Sequence, residues 1–217
     1  MENKLPLVLA SASPRRRQML GLLGLTYKTC VAPVEEEALE ARYAGPVDGL
    51  AQWLAEQKAL AAYTLPGIDG QLVIASDTTV ILEENVLGKP HDEEEARKML
   101  LALRDRQHYV ITGVAISKME HDMLMVRSER CITPVYMRPY SEEEIDAYIA
   151  TGDPLDKAGA YGIQNKLFQP VRRIDGCYLN VVGLPLCVLV DLLAEFGVYP
   201  VVHPHDSPCP WSPRCRV

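Results

Sequence analysis

The sequence predicts an α/β fold with a mixed central sheet flanked by helices. Three patterns predict it. Short apolar runs alternate with helix-like segments along the chain, the order expected of an α/β domain. The run QLVIASDTTVILEE (71–84) is apolar at both alternating sets of positions, as a strand buried on both faces would be. HYVITGVAIS (108–117) and MLMVRSERCITPVYM (123–137), joined by a turn at Met119–Asp122, read as a long antiparallel pair, so the sheet is not purely parallel.

Taken in order, LPLVLA (5–10) is the first strand. Ser13 fits an N-cap and Pro14 the first helical position; Met19, Leu20 and Leu23 supply an apolar face, and Gly24 ends the helix. TYKTCVA (26–32) is a second strand, and residues 47–63 form a helix followed by the loop LPGIDG. After the strand at 71–84, HDEEEARKMLLAL (91–103) is a helix opened by Asp92 with Glu95 as a capping box; Ala96, Met99, Leu100 and Leu103 share one face. SEEEIDAYIATG (141–152) is another helix with Ser141 and Glu144 as its capping box. Two short strands near 171–182 and a helix over 185–196 complete one domain, 1–200. The tail 201–217 is rich in proline and polar residues and is expected to lack fixed structure; His203, His205, Cys209 and Cys215 match no dependable zinc spacing.

Composition narrows the partners. The chain has 217 residues and a net charge of −7, which argues against a nucleic-acid polymer or an anionic membrane surface but not against a small anion held by local cations. No apolar run is long enough to span a membrane. Lys4, a short apolar stretch and Ala10-Ser11-Ala12 imitate a signal peptide, yet the apolar part covers only Leu5–Ala10. The segment is read as a strand and the protein as cytoplasmic. Cys30, Cys131, Cys177 and Cys187 are scattered in apolar contexts, the pattern of buried thiols rather than of a disulfide framework.

The chemistry-bearing residues stand out against these patterns. Asp77 sits in the middle of the 71–84 strand, on the face shared by Val73, Ala75, Thr79 and Ile81. A carboxylate there is costly unless it is paired, hydrogen-bonded or bound to metal; the alternative is that the strand opens onto solvent at that point. Lys58 falls inside the apolar arc of Leu50, Leu54 and Ala61, and is either a snorkelling stem or an ammonium aimed into a cleft. Lys89 lies in a turn, LGKP. In DKAGAYGIQ the glycines permit close backbone approach, and Gln164 can both donate and accept. Glu35, Glu36 and Glu37 are an ordinary solvated cluster unless a polyphosphate brings Mg²⁺ to one of them. Arg15, Arg16 and Arg17 crowd the start of a helix, where cations oppose the dipole; after the small residues Ser11, Ala12 and Ser13 they deepen an anion site instead. No P-loop and no GxGxxG pattern is present.

LASASPRRRQML, SDTTV…LGKP, ITGVA and GDPLDKAGAYGIQ together resemble the Maf family of nucleoside triphosphate pyrophosphatases, in order over residues 5–197. The resemblance implies hydrolysis of a nucleoside triphosphate to the monophosphate and pyrophosphate, a divalent cation (Mg²⁺ or Mn²⁺), a cytoplasmic house-cleaning role, a homodimer, and two lobes around a cleft, similar to inosine triphosphatases. It implies that Asp77 is the proton acceptor or a metal ligand, with Glu36 near the metal. Ser11, Arg15, Arg16, Lys58 and Lys89 match phosphate- and substrate-contacting positions; Arg15, Thr78 and Gln164 match positions that set base preference. Arg17 is expected to be ordinary surface. Thr78 and the DKAGAYGIQ form fit the dTTP/UTP branch better than the branch acting on 7-methyl-GTP. The chain departs from the pattern at Asn165-Lys166, where a Gly-rich turn is common and loop displacement is expected, and at Glu35-Glu36, where Asp-Glu is common. A non-catalytic nucleotide-binding regulator of cell division is the other class of reading; the central Asp77 favours an enzyme.

Overall fold

The computed structural model describes residues 6–121 and 123–200. Strands β1 (Leu7–Ala10), β2 (Tyr27–Cys30), β3 (Leu72–Leu82), β4 (Asn85–Leu87), β5 (Gln107–Glu120), β6 (Met123–Met137) and β7 (Val171–Ile174) form one mixed sheet ordered β2-β1-β3-β5-β6-β7, with β4 pairing the end of β3. β2, β1 and β3 run parallel; β3, β5, β6 and β7 pair antiparallel. The expected mixed sheet, the long central pair and the doubly buried β3 are all present.

Helices cover both faces. α1 (Pro14–Gly21) follows β1, and Ser13 accepts the Arg16 amide at 3.4 Å as its N-cap. α2 (Glu36–Glu40) is a short helix where the sequence suggested a solvated acidic loop. α3 (Leu50–Ala62), entered through a 3₁₀ turn at Val47–Gly49, lays Ala55, Ala59 and Ala62 on Val8, Val73, Ala75 and Ala115. Alanines allow this close approach, and at Gly113 the α3 backbone at Ala51 and Gln52 leaves no room for a Cβ. On the other face, α1 and α7 (Leu186–Glu195) enclose Leu9, Leu20, Ile74, Val114 and Leu189. α4 (Glu93–Leu103) and α5 (Glu142–Ile149) enclose Val80, Leu100, Val110, Val135 and Tyr148. These two clusters are the cores of two lobes.

Two expectations need correction. The segment near 171–182 holds one strand, β7, and then a helix, α6 (Tyr178–Val182), rather than two strands. Val181 and Val182 favour a strand locally, but Gly176 at φ 136° turns the chain and the Cys177 Sγ accepts the Asn180 amide, which starts a helix. At α4, Asp92 caps the Glu95 amide at 2.8 Å, yet the Glu95 carboxylate accepts the His91 amide at 2.7 Å rather than that of Asp92, so the capping box is incomplete. The Ser141–Glu144 box is reciprocal as expected. Among the described cysteines, Cys177 is buried and Cys30, Cys131 and Cys187 are half-buried. The tail 201–217 lies outside the described residues.

His108 on β5 is fully buried, its Nε2 2.7 Å from the Tyr161 hydroxyl. Burial pulls its imidazole down from 6.5 to about 4. The unfolded chain therefore takes up this proton first as pH falls. The stability tied to the neutral ring is complete above pH 6.5 and is lost towards pH 4. At ~1.4 kcal/mol per pH unit the whole descent is about 3 kcal/mol. His108→Gln is expected to flatten the stability profile between about pH 6.5 and 5.5, above the ordinary carboxylate values of about 3.9 to 4.3. Urea denaturation across that range checks it; parallel profiles for the two proteins would contradict a neutral buried ring.

Candidate active site

The cleft opens where β3 loses its neighbours. β1 pairs with β3 only as far as Ile74, and β4 joins the strand only from Val80. The chain between them, which carries Asp77, Thr78 and Thr79, is left with a free edge. The N-terminus of α1 lies there, at the carboxyl end of parallel β1, a usual place for a ligand in an open α/β sheet. The cleft has a volume of ≈ 1750 Å³ and is lined from both lobes. It is roomy beside the 300–1,000 Å³ typical of small-ligand pockets.

Lys58 is the centre of its charge pattern. The buried face of α3 that packs on β3 carries Leu54, Ala55, Lys58 and Ala59, so the ammonium points at the sheet and not at bulk water. It donates to Asp77 Oδ1 and, at 2.6 Å, to Glu36 Oε1. The snorkelling alternative is thereby excluded. Asp77 is only 8% exposed, and its burial is answered by that ammonium. Glu36, at the first turn of α2, also takes Lys89 on Oε2 at 3.3 Å. Burial alone would raise the Glu36 carboxyl; Lys58 and Lys89 more than offset it and hold the group at about 2. Glu40, on the same short helix, lines the cleft too; burial pushes its carboxyl up, and the nearby Asp77 and Glu36 add to the effect. Nothing in the sequence separates Glu40 from its acidic neighbours.

The α1 end supplies the arginines. Ser11 is buried, and its Oγ accepts the Ser13 amide at 3.2 Å, which tightens the turn before the helix. Arg16 donates from Nε to the Gly183 carbonyl at 2.9 Å and from Nη2 to Thr78 Oγ1 at 3.1 Å. Both partners are neutral oxygens. Burial draws the Arg16 guanidinium below its ordinary value, against the pull of Asp77 and Glu36. A half-buried cation held by neutral partners is well suited to an anion. Arg15 is half-exposed, 3.8 Å from Asp156 across the cleft. Arg17 is exposed and does not line the cleft, as expected.

The far wall is the loop from Asp153 to Phe168. Lys157 turns back onto the Asp153 carboxylate at 2.8 Å and its carbonyl at 2.7 Å, so it braces the loop instead of reaching the arginines. Asn165, the departure from the family pattern, shapes the next turn. Its Oδ1 accepts the Leu167 and Phe168 amides at 3.1 and 2.9 Å, and its Nδ2 donates to Asp153 at 3.2 Å. Gln164 lines the cleft and is exposed. The structure thus gathers Ser11, Arg15, Arg16, Glu36, Lys58, Asp77, Thr78, Lys89 and Gln164 around one space. Behind Thr78, outside the lining of the cleft, lie Thr112 and Asn180, both fully buried, which sequence reasoning passed over. Their signal was a polar residue inside each of two apolar stretches, ITGVA and YLNVVGLPL.

Comparison with known proteins identifies the family. The Maf-like protein family matches residues 6–196. The dTTP/UTP pyrophosphatase of Dehalococcoides mccartyi is 42% identical over 213 residues, which cover 97% of this chain and 91% of that protein. The dTTP/UTP pyrophosphatase of Geobacter sulfurreducens is 43% identical over 191 residues, 88% of this chain and 96% of the relative. That of Dictyoglomus turgidum is 42% identical, with the same coverage of each chain. With a match over nearly all of the described fold, this chain belongs to the Maf family.

Proposed function

We propose that this protein hydrolyses dTTP and UTP to the monophosphate and pyrophosphate. The observation that carries the reading is the convergence of a buried carboxylate–ammonium–carboxylate cluster, Asp77–Lys58–Glu36, with Arg15, Arg16 and Lys89 in one cleft. Water attacks the α-phosphorus, the bond to the β-phosphate oxygen breaks, and pyrophosphate leaves. Asp77 accepts the water's proton, which requires it within hydrogen-bond reach of that water. Arg16 and Lys89 neutralise the triphosphate and the charge that builds on the leaving group. Thr78, Gln164 and Arg15 face the base. The relatives named above as dTTP/UTP pyrophosphatases support the choice of substrate.

The donor set fits a hard divalent ion. Asp77 and Glu36 both place a carboxylate oxygen on the same ammonium, so their oxygens converge. No group of three or more His, Cys, Asp or Glu side chains forms a ready cage among the described residues. Mg²⁺ is commonly bound in this way, by one or two carboxylates together with substrate phosphates and water. Asp77 and Glu36 would hold Mg²⁺ or Mn²⁺, which when bound supplies charge neutralisation and a more acidic water. We place the protein in the cytoplasm as a homodimeric house-cleaning enzyme acting on free nucleotides, not on a nucleic-acid polymer or a membrane. The net charge of −7 supports this, and no helix among the described residues is long and apolar enough to cross a membrane.

The test is pyrophosphate release from dTTP, UTP, CTP and 7-methyl-GTP with Mg²⁺ or Mn²⁺. dTTP and UTP are expected to be turned over at least tenfold more efficiently than the others. A preference for 7-methyl-GTP would assign the other branch, and binding without release from any nucleotide would point to a regulator.

A further inference from the structure

Between the two hydrophobic cores on the α1/α4 face of the sheet lies a short polar belt. On β3 it interrupts the run between Ile74 and Val80 with Ser76 and Thr78; on β5 it interrupts the run between Val110 and Val114 with Thr112. Asn180 of α6 caps the belt, fully buried. Its Oδ1 accepts the Thr112 amide at 3.1 Å, and its Nδ2 donates to the Val110 carbonyl at 2.9 Å and to Thr133 Oγ1 at 2.8 Å. Every polar atom of the Asn180 side chain is thus committed.

The belt continues to the cleft as a chain of single contacts. Arg16 Nη2 is 3.1 Å from Thr78 Oγ1, Thr78 Oγ1 is 2.9 Å from Thr112 Oγ1, and Thr112 Oγ1 is 2.9 Å from the Asn180 carbonyl. Its direction can be deduced. A guanidinium only donates and a carbonyl only accepts. Each threonine has one proton. Thr112 must spend its proton on the Asn180 carbonyl, so it accepts from Thr78; Thr78 then gives its proton to Thr112 and turns a lone pair to Arg16. All the bonds form in this one direction only.

We infer that Thr112 is a positioning residue for Arg16, acting through Thr78, and that the buried Asn180 carbonyl sets the polarity of the chain. The guanidinium is then fixed by two of its five donors, Nε on Gly183 and Nη2 on Thr78. The others are left for the phosphates. Gly183 is suited to its part: at φ 120° it occupies a conformation that disfavours a side chain, and its carbonyl also accepts Ser76 Oγ at 3.3 Å. A fixed fork matters because bidentate recognition of phosphate depends on the plane of the guanidinium. This inference rests on the reading that Arg16 grips the substrate.

Thr112→Val keeps the shape of the side chain and removes both ends of its link. It is expected to lower kcat/KM for UTP about tenfold, chiefly through KM, whereas Thr112→Ser stays within about twofold of the parent. In an Arg16→Ala background Thr112→Val is expected to change nothing further, since there is no guanidinium left to orient. Thr112→Cys guards against loss of the fold: its thiol still donates to the Asn180 carbonyl but is a poor acceptor for Thr78, so it too should raise KM. Wild-type kinetics in Thr112→Val and Thr112→Cys, or an equal loss with and without Arg16, would overturn the inference while leaving the site reading intact. Full activity in Arg16→Ala alone would overturn both.

Discussion

Asp77→Asn is expected to reduce pyrophosphate release about 10²–10⁴-fold in kcat and to leave metal-free nucleotide affinity unchanged or improved. A positioned general base typically contributes 10²–10⁴-fold, and asparagine keeps the shape of the side chain while losing the capacity to take a proton. Its carbonyl can still accept from Lys58, which also retains Glu36 at 2.6 Å, so the buried ammonium is not orphaned. That argues against collapse of the site. Without a divalent ion, removing one negative charge from a cleft that receives a triphosphate helps the anion to bind, so affinity is read in the absence of Mg²⁺. Single-turnover pyrophosphate release, read beside equilibrium nucleotide binding, separates the two effects. Turnover within tenfold of the parent would remove Asp77 from the chemistry; a matched loss of binding and turnover would give it a structural part instead.

How much of this was legible in the sequence depends on whether the signal is local. Ser13-Pro14 announced α1, and Ser141 with Glu144 announced α5, because a cap is a contact within one turn. Asp77 was legible because a carboxylate amid unbroken β-strand hydrophobicity is improbable without a partner. Lys58 was legible only as a choice: periodicity says which face a residue occupies, not what comes to meet it. That choice was decided by Asp77 and Glu36, one on the strand under α3 and one on a helix the sequence did not suggest. The family resemblance supplied the two lobes and the cleft, which periodicity could not. The Thr78–Thr112–Asn180 chain joins positions far apart in sequence that only strand pairing and the packing of α6 bring together, and no spacing rule finds it. At 178–182 local propensity favoured a strand, and the turn at Gly176 with the Cys177 cap overrode it.

Lys58→Met is expected to damage the enzyme in the opposite sense to Asp77→Asn, raising KM as well as lowering kcat, with kcat/KM down at least about 10²-fold, the scale of losing one preorganised charge-stabilising donor. Methionine keeps an apolar stem on the buried face that Lys58 shares with Leu54 and Ala55, so α3 should remain seated on β3. What disappears is the cation between two carboxylates. Without a divalent ion the cleft then presents Asp77 and Glu36 bare to an incoming triphosphate, and repulsion weakens binding measured in the absence of Mg²⁺. The pH dependence shifts in a definite direction. Burial favours the protonated Glu36 carboxyl, and Lys58 is the largest influence opposing it, ahead of Lys89. Without Lys58 the carboxyl rises from about 2, so the acid limb of kcat/KM moves to higher pH. If Glu36 must be ionised to hold the divalent ion, activity in the variant is lost first at the acidic end and partly recovered by more Mg²⁺. Adding Asp77→Asn to Lys58→Met removes one of the exposed negative charges, so the double variant should bind a non-hydrolysable UTP analogue more tightly than Lys58→Met alone, although it turns over no substrate. Equal affinities in the single and double variants, together with an unmoved acid limb, would mean that Lys58 serves the fold of α3 and not the charge balance of the cleft.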